Sequence, residues 1–108
     1  MTIIEFLEAR IDTIERDINM AIKCDPYTAK PGWRIDTAHN FMLAECAAHR
    51  RIIARCVTAI EEDERPDSSQ EPGYYNALAE HADDARAILG DLAAIWQWHP
   101  DYDPAWAA

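Results

Sequence analysis

The stretch TIIEFLEARIDTIERDINMAI, residues 2–22, decides the fold. Its large apolar side chains recur at intervals of three and four residues, which places them on one face of an α-helix. Acidic and basic side chains occupy the other face. The apolar stripe consists of Ile4, Leu7, Ile11, Ile14, Ile18 and Ile22. This pattern predicts an amphipathic helix over residues 3–23 that must bury one side against other parts of the chain.

The start of this helix is marked by a capping box. Thr2 and Glu5 are three residues apart, so the Thr2 hydroxyl can accept a free backbone N–H of the first turn while the Glu5 carboxylate accepts the N–H of Thr2. The helix is therefore expected to begin directly after Thr2.

Two further segments show the same spacing and predict helices over residues 36–64 and 72–99. The second stripe runs through Met42 or Leu43, Cys46, His49, Ile53, Cys56 or Val57, and Ile60, and the third through Tyr74 or Tyr75, Leu78, Ala82, Ala85, Ile88 or Leu89, Leu92, and Ile95 or Trp96. Asp36 or Thr37 is expected to cap the second helix. Pro100 should end the third, because it moves His99 out of helical geometry. Within the third helix, Gly90 suggests a close contact with another helix.

Proline- and glycine-containing segments separate the three predicted helices. These are CDPYTAKPGW at 24–33 and RPDSSQEPG at 65–73, which we interpret as a turn and a loop. No stretch alternates as a strand would. The expected fold is therefore an all-α, antiparallel three-helix bundle in a single domain, residues 1–108. A homodimer is an open possibility if the helices do not cover one another fully.

The composition favours a soluble cytoplasmic protein. The first ten residues contain Glu5, Glu8 and Arg10, unlike a secretory signal. The uncharged stretch from Leu92 to Pro100 is nine residues long, well short of the roughly 20 that span a bilayer. The three cysteines have no C-x-x-C spacing, which is typical of free thiols in a reducing compartment.

Negative charge is concentrated in the last third of the chain. Residues 66–108 hold eight acids against Arg86 alone, whereas residues 1–65 hold twelve acids against nine bases. Such a surface repels nucleic-acid phosphates and membrane headgroups and favours basic partners. Simple solubility is the other explanation for the same charge.

The sequence lacks a recognisable catalytic arrangement. Glu45 and His49 lie one helical turn apart in a geometry compatible with a metal ligand pair, but the Glu-x-x-His repeats of dimetal bundles are missing. The three glycines are isolated, which excludes a glycine-rich phosphate loop. We therefore expect no enzyme, no cofactor and no metal.

The segment HRRIIAR, residues 49–55, is the one basic cluster. Arg50, Arg51 and Arg55 occupy about one and a half helical turns. They could bind a phosphate or an acidic patch on a partner. The alternative is that they pair with acids of the first or third helix.

The segment WQWHPDYDPAW, residues 96–106, contains three of the four tryptophans. Trp96 fits the third apolar stripe, but Trp98 lies about 200° further round the helix. Pro100 and Pro104 favour a fixed turn, which could fold Tyr102 and Trp106 back over the end of the bundle. Alternatively the aromatic side chains form a binding surface with an acidic rim. The candidate partner-binding residues are Trp98, His99, Tyr102, Trp106, Arg50 and Arg51.

Three segments of the chain resemble a family of short helical proteins of unknown function found in actinobacteria and their phages. They are the ending HPDYDPAW, the middle segment AECAAHRRIIAR and the opening MTIIEFLEARID. The resemblance implies a bacterial or phage accessory protein of the cytoplasm and supplies no mechanism.

The sequence thus leads to one principal functional hypothesis and two others. The first is a non-enzymatic helical module that binds a cellular protein, or a host protein if a phage encodes the chain. The second is an acidic mimic of nucleic acid that occupies a basic protein. The third is a metal-dependent enzyme using Glu45, His49 and His81. Neither membrane binding nor direct binding to nucleic acid is expected.

Overall fold

A computed structural model describes residues 1–24, 37–65 and 72–107. Three α-helices make up most of this part of the chain: α1 (Ile3–Cys24), α2 (Thr37–Glu64) and α3 (Pro72–Ala93). Two short 3-10 turns follow, at Ala94–Trp96 and Pro104–Trp106. None of the described residues lies in a strand. The expected all-α bundle class is confirmed.

Helix α1 begins as its capping box predicts. The Glu5 backbone N–H donates to the Thr2 hydroxyl at 3.1 Å, and the Thr2 N–H donates to a Glu5 carboxylate oxygen at 3.1 Å. These two bonds satisfy donors that the first turn of a helix otherwise leaves to water. The helix boundary is therefore set locally, by two side chains of the sequence.

All three helices contribute to one core. Its buried members are Phe6, Leu7 and Ile11 from α1, Cys46, Ile53 and Cys56 from α2, and Ala85, Leu89 and Ala93 from α3. Apart from Phe6 and Ala93, they belong to the three predicted stripes. Many of the side chains from α2 and α3 are small, which lets helix backbones approach closely. The predicted core faces of α1, α2 and α3 are confirmed.

Contacts between α1 and α2 join early residues of one helix to late residues of the other. Ile60, near the end of α2, lines the same groove as Ile3 and Ile4 at the start of α1. Arg50, halfway along α2, pairs with Asp12 and Glu15. Two helices of opposite direction would pair in this order. The antiparallel arrangement of the whole bundle stays a prediction.

The predicted third helix, residues 72–99, was too long. The α-helix ends at Ala93, and the backbone tightens into a 3-10 turn. Gln97 N–H donates to the Ala94 carbonyl at 3.2 Å, and His99 N–H donates to the Trp96 carbonyl at 2.9 Å. Hydrogen bonds from an N–H to the carbonyl three residues earlier satisfy the last carbonyl groups of a helix that cannot continue. Here the helix cannot continue because Pro100 follows. The tighter turn redirects residues 97–107 toward α1.

Some predictions fall on residues outside the described part of the chain. The expected turn at 24–33 and loop at 65–73 lie mostly within residues 25–36 and 66–71, and the Asp36 cap lies there too. Among the described helices, none combines the length and the apolar character that a membrane crossing requires.

Candidate functional site

The candidate site is the C-terminal tail, residues 97–107, together with the α1 surface on which it lies. The tail is shaped by its own backbone bonds. Tyr102 N–H donates to the His99 carbonyl at 3.0 Å, and Trp106 N–H donates to the Asp103 carbonyl at 3.0 Å. Asp103 caps the second 3-10 turn, because its side chain accepts the Ala105 N–H at 2.9 Å. Pro104 stands at the first position of this turn, where a missing N–H has no cost.

Phe6 is the residue of α1 on which the tail aromatics converge. Its ring lies 5.7 Å from His99, 6.1 Å from Tyr102 and 5.0 Å from Trp106, centroid to centroid. The rings of Tyr102 and Trp106 are themselves edge to face at 5.5 Å. These are the separations at which aromatic pairs attract one another. Phe6 has no solvent-exposed surface as a result.

Gly90 lets the tail backbone reach α3. A Cβ atom at this position would lie 2.7 Å from the carbonyl oxygen of Trp106, closer than carbon and oxygen can approach. The close contact expected of Gly90 therefore exists, but its partner is the tail backbone and not another helix. Trp106 is thus held between Phe6 on α1 and Gly90 on α3.

Trp98 lies in the segment that follows the first 3-10 turn, and it faces water. Its side chain is 84% exposed, and Ile95, three residues earlier, is 52% exposed. Ile95 belongs to the first 3-10 turn and Trp98 follows that turn by two residues, so both exposed apolar side chains come from one short segment. Ile95 also lines a groove of about 140 Å³ with Met42, which is 41% exposed, and Trp96. We group the exposed apolar residues Trp98, Ile95 and Met42 under the name Trp98 surface.

The structure thus divides the four candidate residues of the tail into two groups. His99, Tyr102 and Trp106 are partly buried against α1, whereas Trp98 faces water. The sequence reading left capping and binding as alternatives for the whole segment. In the described geometry three of these side chains cap the end of the bundle, and Trp98 stays exposed.

The two candidate arginines of α2 also differ. The Arg50 guanidinium donates to Glu15 at 2.8 Å and to Asp12 at 2.5 Å, both on α1. Hydrogen bonds to these two carboxylates raise the pKa of Arg50 above its ordinary value, and the bond to Glu15 has the larger effect. Arg51 is exposed. Arg50 therefore joins α1 to α2, and Arg51 is the one that faces water.

The residues of the metal hypothesis do not share a site. Glu45 and His49 line the groove beside Ile95, while His81 lines a different groove with Cys56 and Asp84. Within residues 1–24, 37–65 and 72–107, no three His, Cys, Asp or Glu side chains are grouped as a metal ion would require. A metal-dependent enzyme built on these residues would need a different arrangement.

The two buried cysteines are poor nucleophiles. Burial raises the pKa of the Cys46 thiol, and the carboxylates of Glu15 and Glu45 raise it further. Burial also raises the pKa of the Cys56 thiol. Because the thiolate is the reactive form, both side chains act as small apolar residues of the core.

Sequence reasoning missed Phe6 and Arg10. Phe6 lies one position from Leu7, off the centre of the α1 stripe, and its contacts come from residues about 90 positions later. Arg10 contacts the His99 ring through its guanidinium. Two features of the sequence indicated these contacts. Phe6 adds apolar surface beside the main stripe of α1, and the C-terminal tail is rich in aromatic residues and contains two prolines.

Comparison with known proteins identifies a family. The family model that matches is described as a family of unknown function, DUF6221, and the match covers residues 1–108. No curated protein and no solved structure matches the chain. The resemblance to a family of unknown function is confirmed, while an origin in actinobacteria or their phages stays a prediction. The chain belongs to the family of unknown function DUF6221.

Proposed function

We propose that this protein is a non-enzymatic helical module that binds another protein through the Trp98 surface. The observation that carries this proposal is the position of Trp98, 84% exposed on a turn whose backbone is fixed by hydrogen bonds. Tryptophan is enriched among the residues that dominate binding energy at protein interfaces.

The rigidity of the turn supports a binding role. The three other aromatic side chains of the tail, His99, Tyr102 and Trp106, anchor it to Phe6. A side chain presented by a preorganised turn loses less conformational entropy on binding than one on a flexible end. The cap thus prepares Trp98 to enter an apolar pocket of a partner.

The charge near Trp98 indicates the chemistry of that partner. Asp91, Asp101 and Asp103 are exposed near it in sequence, and Arg86 is the one base in residues 66–108. A pocket for indole with lysine or arginine at its rim would complement this surface and increase the association rate. The family resemblance suggests a protein of the bacterial cytoplasm, and a host protein if the chain is encoded by a phage.

Affinity capture from bacterial lysate tests the proposal when it compares variants. Wild-type protein and a Met20→Ala variant should retain the same protein, because Met20 is an exposed apolar residue of α1 outside the Trp98 surface. Trp98→Ala and Ile95→Ser should lose it. Circular dichroism of each variant verifies that the helices are intact. Equal retention by Trp98→Ala and the wild type would overturn the proposal.

A second candidate function is an acidic mimic of nucleic acid that occupies a basic protein. The placement of acids favours it: Glu64 at the end of α2 and Asp83 on α3 lie 4.0 Å and 3.3 Å from Arg86. Acidic residues of two helices therefore meet around one arginine. Further exposed acids on the same helices are Glu61, Glu62, Glu80 and Asp84.

Salt dependence separates the two functions. A mimic should bind a basic protein with an affinity that falls steeply as salt rises, and nucleic acid should compete for the same site. Binding through the Trp98 surface should instead persist at high salt, since its core is apolar. A captured protein that is retained at high salt and is indifferent to added DNA would exclude the mimic.

A further inference from the structure

The His99 ring lies between two hydrogen-bond donors. On one side the backbone N–H of Asp101 donates to Nδ1 at 3.0 Å. On the other side the Arg10 guanidinium contacts Nε2. A backbone amide and a guanidinium are both donors only. The ring therefore receives two donors and faces no acceptor among these contacts.

The protons of a neutral imidazole do not match this arrangement. A neutral ring carries one N–H and one lone pair. The Asp101 amide uses the lone pair at Nδ1, because the turn fixes its position two residues away. The proton must then reside on Nε2, where it faces the Arg10 guanidinium. Two donors that face one another are unfavourable unless an acceptor beside them accepts from both.

Arg10 also lacks an acidic partner in the described part of the chain. No Asp or Glu of residues 1–24, 37–65 or 72–107 lies within 4.0 Å of its guanidinium nitrogens, and its buried Nε atom has no hydrogen-bond partner there. The face of Phe6, 5.8 Å from the guanidinium carbon, supplies a cation–π contact. Although the chain has 20 acids and 10 bases, the described residues leave donors of this guanidinium without an acceptor.

We propose that Arg10 and His99 form a binding site for a carboxylate at the junction of α1 and the tail. The guanidinium and the Nε2–H would donate to the carboxylate oxygens, which resolves the conflict between the two donors. A carboxylate carries one negative charge and a planar pair of oxygens, and thus matches one guanidinium. This site is separate from the Trp98 surface and does not depend on the proposed function.

The position of the site links its occupancy to the docking of the tail. Arg10 belongs to α1 and His99 to the tail, so an anion held by both joins the two elements. A ligand that binds the docked form alone shifts the equilibrium toward it. Carboxylate binding should therefore stabilise the docked form of the tail, in which Trp106 contacts Gly90 and His99 contacts Arg10.

The first test reads the tautomer of His99 in the full chain. Nitrogen NMR of the imidazole, recorded at increasing pH until the spectrum no longer changes, distinguishes the two tautomers of the neutral ring directly. The proposal requires the proton on Nε2. A proton on Nδ1 would overturn it, because Nε2 would then accept from Arg10 and no acceptor would be needed.

The second test measures binding with acetate as the probe, at constant ionic strength maintained with chloride. Acetate should shift the His99 ring resonances in a saturable manner. Arg10→Gln should weaken this binding by about tenfold or more, the loss expected for a charge-assisted hydrogen bond. Arg16→Gln, which removes an exposed arginine of the same helix, is the matched control and should bind as the wild type does.

Three results would contradict the proposal. These are the absence of saturable acetate binding, equal affinity in Arg10→Gln and the wild type, and tighter binding of inorganic phosphate than of acetate. The Gly90 amide resonance shows whether the tail stays docked in each variant. If Arg10→Gln detaches the tail, Arg10→Lys decides instead: it keeps the charge without the planar fork, and an undiminished affinity for acetate would overturn the site.

Discussion

Gly90 is the residue at which the tail backbone touches α3, and it gives the most specific prediction at the residue scale. Alanine in a helix interior is normally more favourable than glycine by about 1 kcal/mol. At Gly90 the added Cβ would lie 2.7 Å from the Trp106 carbonyl oxygen. We therefore expect Gly90→Ala to lower the free energy of unfolding by about 1–3 kcal/mol, as overpacking does, in a urea titration.

Gly73 provides the control for this prediction. Among the described residues, no atom apart from its chain neighbours and its own helix backbone lies within 4 Å of the position that its Cβ would occupy, and it also belongs to α3. Gly73→Ala should leave stability unchanged or raise it by up to about 1 kcal/mol. Equal effects of the two substitutions would mean that the tail does not rest on Gly90.

For single residues, the sequence predicted the helix face on which a side chain lies better than it predicted which other residues that side chain contacts. The helical position of Trp98 relative to Trp96 indicated a different face and hence a need for cover, but Trp98 follows the end of the helix and is exposed. The contacts of Phe6 were not predictable from local spacing, because they come from a tail whose direction depends on where α3 ends. Gly90 indicated a close approach, but not which backbone approaches.

The capping box of α1 gives a prediction at the element scale, and its sign follows from a pKa. Hydrogen bonds from the backbone and hydroxyl of Thr2 lower the pKa of Glu5 from its ordinary value of 4.5. The stability that Glu5 contributes is thus complete above pH 4.5 and is lost as pH falls through the lowered pKa. Wild-type protein should exceed Glu5→Gln in stability by a constant amount near neutral pH.

Denaturation curves of the wild type and of Glu5→Gln, recorded between neutral and acidic pH, test this predicted difference in stability. Because the two proteins differ at Glu5 alone, the difference between their unfolding free energies isolates Glu5. That difference should shrink below pH 4.5. A difference that stays constant or grows in acid would mean that the capping box does not hold.

The helices themselves were predictable because each has a local cause. Apolar spacing placed α1 and α2 within one residue of their observed ends. The end of α3 was wrong by six residues, at Ala93 rather than residue 99. Proline excludes a helix at the residue before it, but it does not show how many earlier residues tighten into a 3-10 turn.

At the scale of the whole molecule, the cysteines report whether the bundle closes as one unit. Cys46 and Cys56 are buried, and Cys24 is exposed at the end of α1. Because burial also raises the pKa values of the two buried thiols, iodoacetamide at pH 8 should modify Cys24 alone in the native protein. Mass spectrometry after timed alkylation measures this, and comparable rates at all three sites would contradict a closed core.

Self-association remains a prediction at this scale. Exposed apolar residues on the Trp98 surface favour a homodimer, while a net charge of −10 opposes it. Sedimentation of the wild type and of Trp98→Ala over a range of concentrations shows whether the protein is a monomer or a homodimer. A monomer at every concentration would leave the Trp98 surface to a different protein.

The central claim is that the tryptophans of the tail have two roles: Trp106 holds the bundle closed, and Trp98 stays exposed, where the proposed function needs it. The most direct measurement is the unfolding free energy of Trp106→Ala and Trp98→Ala, side by side in urea. Trp106→Ala should lose about 2–3 kcal/mol, because it removes a partly buried ring from Phe6. Trp98→Ala should stay within about 0.5 kcal/mol of the wild type, as an exposed side chain does. Equal losses in the two variants, or none in Trp106→Ala, would contradict this division.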